Sequence, residues 1–249
     1  MGFLVDKFFY FKGGEIMEKR VVNGFFDTLF LSLAVVGFAL WQDAIIVRVG
    51  FCVCVILSGL ELFFANSVRP AATQLSQYHL TFELSILFAA FLLGSCAYIA
   101  AYEWVFIIGI TVASDAGGLA FGKAVDGRKV ELLEYISPNK TYIGYIGEAL
   151  CSWVVGIMII MVYKIDLNSS RTIFLVSAWL FAAIGDLVGS ICKRGLFIKD
   201  SDEIMKCIPI IGKVEIFARS RHGFLDCFDS MTVVFLYYLT LAILERSLT

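Results

Sequence analysis

Along this chain polar and apolar positions do not alternate as they do in a half-buried strand. Apolar residues collect into long runs separated by short charged segments. About 20 apolar residues are needed to cross the hydrocarbon core of a bilayer. The runs predict spans at 25–41, 44–65, 82–101, 103–122, 143–163, 172–192 and 224–245. The first is short, at 17 residues. The third and fourth would merge into one very long helix but for Glu103, flanked by Tyr102 and Trp104, which marks an interfacial turn. The expected fold is all-α, a polytopic membrane bundle of about seven transmembrane helices. Residues 1–24 are expected to form a cytosolic leader, because no apolar stretch followed by a small-residue cleavage site is found there. Residues 25–249 are expected to form a single transmembrane domain, with no internal repeat or linker.

Charge gives the bundle an expected direction. With seven crossings, sixteen of the twenty Lys and Arg residues fall on one set of connections: the leader, 66–81, 123–142 and 193–223. The last of these alone carries seven. Basic residues are retained on the cytosolic side, so the N-terminus and these loops are expected to face the cytosol.

Composition narrows the class. Of 249 residues, 59% are hydrophobic and 17% charged, against about 25% charged in soluble domains. The net charge of −2 argues against nucleic acid as a partner. Seven cysteines without a C-x-x-C pair read as small buried hydrophobes, and two histidines cannot build a histidine-rich metal cluster.

The chemistry is expected where ionisable residues interrupt the spans. Asp115, Glu148, Asp186, Asp226 and Asp229 all fall near the basic end of their helices. Asp186 lies seven residues before Lys193, roughly 10 Å below the basic loop. Asp186, Ser190 and Lys193 are spaced to share one helical face, as are Asp226, Asp229 and Ser230. A carboxylate in hydrocarbon normally faces a wet cavity, a cation or a partner charge. Singly, each of these residues also reads as a helix-packing hydrogen bonder or a cap. Together they predict a cavity for metal and phosphate, because oxygen ligands suit Mg²⁺ and basic side chains suit phosphate. Asp186, Asp226 and Asp229 would repel one another there, a repulsion that a divalent cation relieves.

These residues also carry a resemblance. Ser190-Ile-Cys-Lys193-Arg194, followed after four residues by Lys199-Asp200, resembles the opening of the phosphatidate cytidylyltransferase (CDP-diacylglycerol synthase) signature. Asp226-Cys-Phe-Asp229 resembles its closing D-R-x-D. Upstream, Ser114-Asp115-Ala-Gly117-Gly118, with Gly122-Lys123, is similar to the family's D-T-G-A-Y-x-x-G-R segment. Ser137-Pro138-Asn139-Lys140-Thr141, with Gly144, is similar to S-P-K-K-T-x-E-G. The four motifs stand in the family's order over residues 110–245. Three features depart from the pattern: Arg219-Ser220-Arg221-His222-Gly223 replaces P-G-H-G-G, the insert between Asp200 and Asp226 is longer, and Ile143 and Cys227 replace a Glu and an Arg.

The resemblance implies a nucleotidyltransferase of the inner bacterial membrane that condenses CTP with phosphatidic acid to CDP-diacylglycerol and pyrophosphate. It implies catalytic roles for Asp186, Lys193, Arg194, Lys199, Asp200, Asp226 and Asp229. It implies substrate contacts from Asp115, Ser137, Lys140, Thr141 and Ser190. It also implies Mg²⁺ on Asp186, Asp226 and Asp229, with room for a second cation, and leaves a homodimer open. Two rival readings are a CTP-dependent lipid-alcohol kinase and an ion-coupled transporter. The transporter reading sits badly with the lack of a repeat and with carboxylates lying toward one face.

Overall fold

The computed structural model describes residues 44–68, 73–96, 99–124, 129–131, 136–137, 140–196 and 224–248. The predicted leader and the 25–41 span lie outside the described residues. Six helices are described: α1 (Ala44–Val68), α2 (Gln74–Cys96), α3 (Ala101–Ala124), α4 (Tyr142–Tyr163), α5 (Ser169–Gly195) and α6 (Phe224–Leu248). All six are long and apolar enough to cross a membrane. Among the described residues there is no strand, only an isolated antiparallel bridge between Lys129 and Thr141. The expected all-α membrane bundle is therefore what the chain forms. It is an integral membrane protein.

Each of the six matches a predicted span, with ends shifted by local chemistry. The shift is largest at α2, expected from residue 82 but beginning at Gln74. Gln74, Ser76, Gln77 and His79 are too polar to register as a span, yet Thr73 starts the helix: its Oγ1 accepts the Ser76 N–H at 3.1 Å. The boundary at Glu103 holds. α3 starts at Ala101, and Glu103 Oε2 accepts the Ala100 N–H at 3.1 Å, satisfying one of the orphan donors of the first turn. Thr141 and Asn168 cap α4 and α5 in the same way, accepting the N–H groups of Gly144 and Arg171.

α5 and α6 are central. α5 packs on α2, α3, α4 and α6, while α6 also touches α1, α2 and α3. The core is aromatic. Phe51, Trp104 and Phe235 meet with ring centroids 4.6–5.1 Å apart, joining α1, α3 and α6. Large apolar side chains such as Phe63, Phe82, Phe88 and Met161 point outward, as lipid-facing residues do. Of the described cysteines, Cys192 is buried, Cys52, Cys54 and Cys151 are partly so, and Cys96 is exposed at the end of α2, so the buried reading fails there.

The two ends of the bundle differ. At one end α3, α5 and α6 are tied by Glu103 Oε1, which accepts from Arg171 Nη2 and from the Tyr238 hydroxyl, each at 2.8 Å. Beside them Glu245 Oε2 accepts from Asn168 and Ser170, both at 2.6 Å. At the other end lie the last turns of α1, α3 and α5 and the first turns of α2, α4 and α6. There Ser76 of α2 stands beside Gly195 of α5, and Arg194 Nε donates to the Ile136 carbonyl at 3.4 Å. The described basic residues Lys123, Lys129, Lys140, Lys193 and Arg194 all lie at this end.

Candidate active site

Beneath that basic end, every described helix contributes a carboxylate at similar depth. Glu61, Glu83, Asp115, Glu148, Asp186 and Asp229 lie five to nine residues from the ends of α1 to α6. At 1.5 Å per residue that is a layer roughly 8–14 Å below the helix ends. Four of the six are at most 3% exposed: Glu61, Glu83, Glu148 and Asp229.

The layer is organised around two lysines. Lys140, just before α4, reaches back so that Nζ stands 2.6 Å from Asp186 Oδ2 and 3.0 Å from Glu148 Oε1. It also lies over the Tyr145 ring, 5.5 Å from its centroid. Burial disfavours the Lys140 charge, but Asp186 and Glu148 more than offset this and hold the ammonium above the ordinary lysine range. Asp115 sits within electrostatic reach of Asp186, Lys140 and Glu148. Its side chain is accessible to solvent.

Lys193, near the end of α5, forms the second centre. It is 8% exposed, and its Nζ lies 4.0 Å from Asp229 Oδ2. Ser230 steadies the Asp229 carboxylate. Its N–H donates to Asp229 Oδ1 at 2.7 Å, and its hydroxyl lies 3.5 Å from the same oxygen.

Glycines permit this approach. A Cβ on Gly189 would collide with the Asp229 carboxylate, and one on Gly118 would come 2.5 Å from Glu148 Oε1. Gly117 lets α3 meet α4 backbone to backbone, at the Gly147 carbonyl.

The predicted residues fare differently. Asp115, Lys140, Glu148, Asp186, Lys193 and Asp229 are brought into one layer. Asp186 and Lys193 share a face by spacing but reach different partners. Asp186 is not left uncompensated, as the repulsion argument supposed, because Lys140 answers its charge. The Thr141 hydroxyl is engaged in capping α4, at 3.1 Å from the Gly144 nitrogen. Ser137 accepts the Lys140 N–H through its carbonyl at 3.2 Å, shaping the turn that delivers the lysine. Arg194 is exposed above the layer, and Ser190 is half-buried on α5. Lys199, Asp200 and the Asp226 side chain lie outside the described residues, as do Arg221 and Cys227's side chain. Glu61 and Glu83 were not anticipated. The signal was present, a lone acid within an otherwise apolar span, but both fall upstream of the recognised motifs.

The pattern of the Cytidylyltransferase family matches residues 13–244. The chain belongs to that family. A phosphatidate cytidylyltransferase of Staphylococcus aureus (strain COL) is 36% identical over 124 residues, covering 49% of this chain and 41% of that protein. One of Staphylococcus saprophyticus is 31% identical over 168 residues, covering 61% of this chain and 58% of the relative. The chain thus spans about half the length of these curated relatives. No solved structure matches it. Membership in the Cytidylyltransferase family supports neither the lipid-alcohol kinase nor the transporter reading.

Donor chemistry allows a metal in this layer. Among the described residues no three Asp, Glu, His or Cys side chains already stand as a metal group. Yet Asp115, Glu148 and Asp186 surround a single lysine, and Glu148 Oε2 is buried without a hydrogen-bond partner. An excess of buried carboxylate oxygen over cationic charge is what a hard divalent cation resolves. Mg²⁺ is commonly held by one or two carboxylates together with substrate phosphates.

Proposed function

We propose that this protein joins CTP to phosphatidic acid, forming CDP-diacylglycerol and releasing pyrophosphate. A phosphate oxygen of the lipid bonds to the α-phosphorus of CTP as the bond from that phosphorus to the pyrophosphate oxygen breaks. The supporting observation is the layer of six carboxylates and two lysines beneath the basic end of a membrane bundle of this family.

The reaction brings two polyanions together, and its barrier is largely their repulsion and the charge gathering on pyrophosphate. Lys193 and Arg194 would receive phosphate oxygens, with Lys199 and Asp200 completing the opening motif. Lys140 would fix Asp186 and Glu148 against each other, so that the carboxylates keep one arrangement through turnover. Asp186 and Asp229, with Asp226, would hold Mg²⁺, which supplies Lewis-acid neutralisation of phosphate charge when bound. Ser190 and Asp115 would contact substrate along the cavity wall. We place the layer toward the cytosol, where CTP is available, in the inner membrane of a bacterium, so that acyl chains remain in lipid.

The test uses purified full-length protein in detergent, labelled CTP, phosphatidic acid and Mg²⁺. Labelled CDP-lipid with equimolar pyrophosphate is expected. Free CDP with a phosphorylated lipid alcohol would overturn the proposal.

A further inference from the structure

Glu103 lies in none of the motifs that carry the family resemblance. As the marker of a turn it needs one carboxylate oxygen, and Oε2 serves that purpose by accepting the Ala100 N–H. Oε1 does something a turn does not require. It accepts from Arg171 Nη2 of α5 and from the Tyr238 hydroxyl of α6, each at 2.8 Å. Arg171 is held in turn: its Nη1 donates to the Asp166 carbonyl at 2.9 Å, and its guanidinium lies 5.9 Å from the Tyr102 ring centroid. The Arg171 and Glu103 side chains are only 18% and 16% exposed.

The same three helices also meet through their rings. Phe174 of α5, fully buried, packs on Phe106 of α3 at 5.5 Å and edge-on against Tyr238 of α6 at 4.9 Å. Tyr238 thus belongs to both layers, its ring against Phe174 and its hydroxyl on Glu103. The helices joined here, α3, α5 and α6, are those that carry Asp115, Asp186 and Asp229. The junction stands nine to fifteen residues from these acids, roughly 14–22 Å along the helices.

Apolar contacts between helices in a bilayer set register weakly, because lipid tails satisfy apolar side chains equally well. A buried ion pair sets it sharply. Sliding one helix by a single residue, about 1.5 Å, breaks the bonds on Glu103 and leaves its charge without a partner. We infer that Glu103 is a positioning residue: with Arg171 and Tyr238 it fixes how far α3, α5 and α6 slide past one another, and so holds Asp115, Asp186 and Asp229 at a common depth. A reacting constellation tolerates displacements of only about 0.5 Å, so this lock at the far end bears on chemistry as well as on stability. Its consequence for turnover rests on the cytidylyl-transfer reading; the lock itself does not.

The test compares Glu103→Leu, Arg171→Leu and the double variant of the full chain in detergent, each assayed well below its Tm. Each single change is expected to lower kcat about tenfold, with KM for CTP within about twofold, and the double variant should be no worse than the worse single one. Glu103→Gln, which keeps an acceptor, should recover part of the loss. The double variant leaves no unpaired charge, so it carries the comparison if a single variant inserts poorly. Unchanged kcat in the double variant, whatever its Tm, would overturn the inference. A second readout does not depend on activity. Nitroxides on Lys123→Cys and Arg194→Cys, in full-length protein without native cysteines, report the distance between the ends of α3 and α5. Adding the double change should shift or broaden that distance by about 3 Å, two residues of slip, and an unchanged distribution would refute the lock. Wild-type protein that turns over no CTP would sink the functional reading only, and the label distances would then decide the lock.

Discussion

Lys140 Nζ lies 2.6 Å from Asp186 Oδ2, an ion pair made by a residue just before α4 with one deep in α5. Because Glu148 shares the same ammonium at 3.0 Å, a single lysine restrains two acids. Replacing Lys140 by Gln leaves both carboxylates facing Asp115 without the cation between them. Losing one partner of a buried pair costs about 3–5 kcal/mol, and partial solvent access here reduces that to about 1–3 kcal/mol. Thermal unfolding in detergent should show the corresponding drop in Tm. Lys140→Arg, which keeps the charge, should recover part of it. Equal melting of wild type and Lys140→Gln would mean that the pair contributes nothing.

For the proposed metal, Asp186→Asn and Asp229→Asn should each remove nearly all CDP-lipid formation, because Asn keeps the size but loses the charge. Saturating Mg²⁺ should raise the wild-type Tm by mass action, worth about 2.7 kcal/mol at a hundredfold excess over Kd. The same titration should move either variant much less. Normal turnover by the Asn variants at ordinary Mg²⁺ would make these aspartates structural.

Gly189→Ala places a methyl group against the Asp229 carboxylate. Overpacking of this kind costs about 1–3 kcal/mol and would displace Asp229 from Lys193. Gly59→Ala is the internal control, since a Cβ there meets nothing within 4 Å. The measurement is activity and Tm on both, with Gly189→Ala impaired and Gly59→Ala close to wild type.

Orientation can be read with an impermeant thiol reagent on a variant lacking native cysteines. A cysteine introduced at Ser201 should label only from the cytosolic side, and one at Leu167 only from the opposite side. The reverse pattern would place the carboxylate layer away from CTP.

How much of this was legible beforehand depended on the range of each interaction. Hydropathy is local, so the spans matching all six described helices could be read directly, and Glu103 separated α2 from α3 because Tyr102 and Trp104 beside it mark an interfacial turn. The layer at Asp115, Glu148, Asp186 and Asp229 followed from spacing plus alternating direction. Pairing is not local. That Lys140 would turn back onto Asp186, or that Lys193 would approach Asp229 of α6, depends on helix neighbours that no spacing rule supplies. Glu61 and Glu83 escape for a different reason: each is a lone acid in an apolar run, with no neighbouring charge at helical spacing to set it apart from a packing hydrogen bonder. The early start of α2 was hidden by its polar first turns, which a hydropathy window discounts.

The contact between Gly117 and the Gly147 carbonyl has a consequence for traffic through the molecule. Two helices whose backbones touch leave no slot between them wide enough for a hydrocarbon tail. At the depth of the carboxylate layer the α3–α4 seam is therefore shut. A lipid headgroup arriving from the bilayer must reach the layer by another doorway between the helices, with its tails trailing outside.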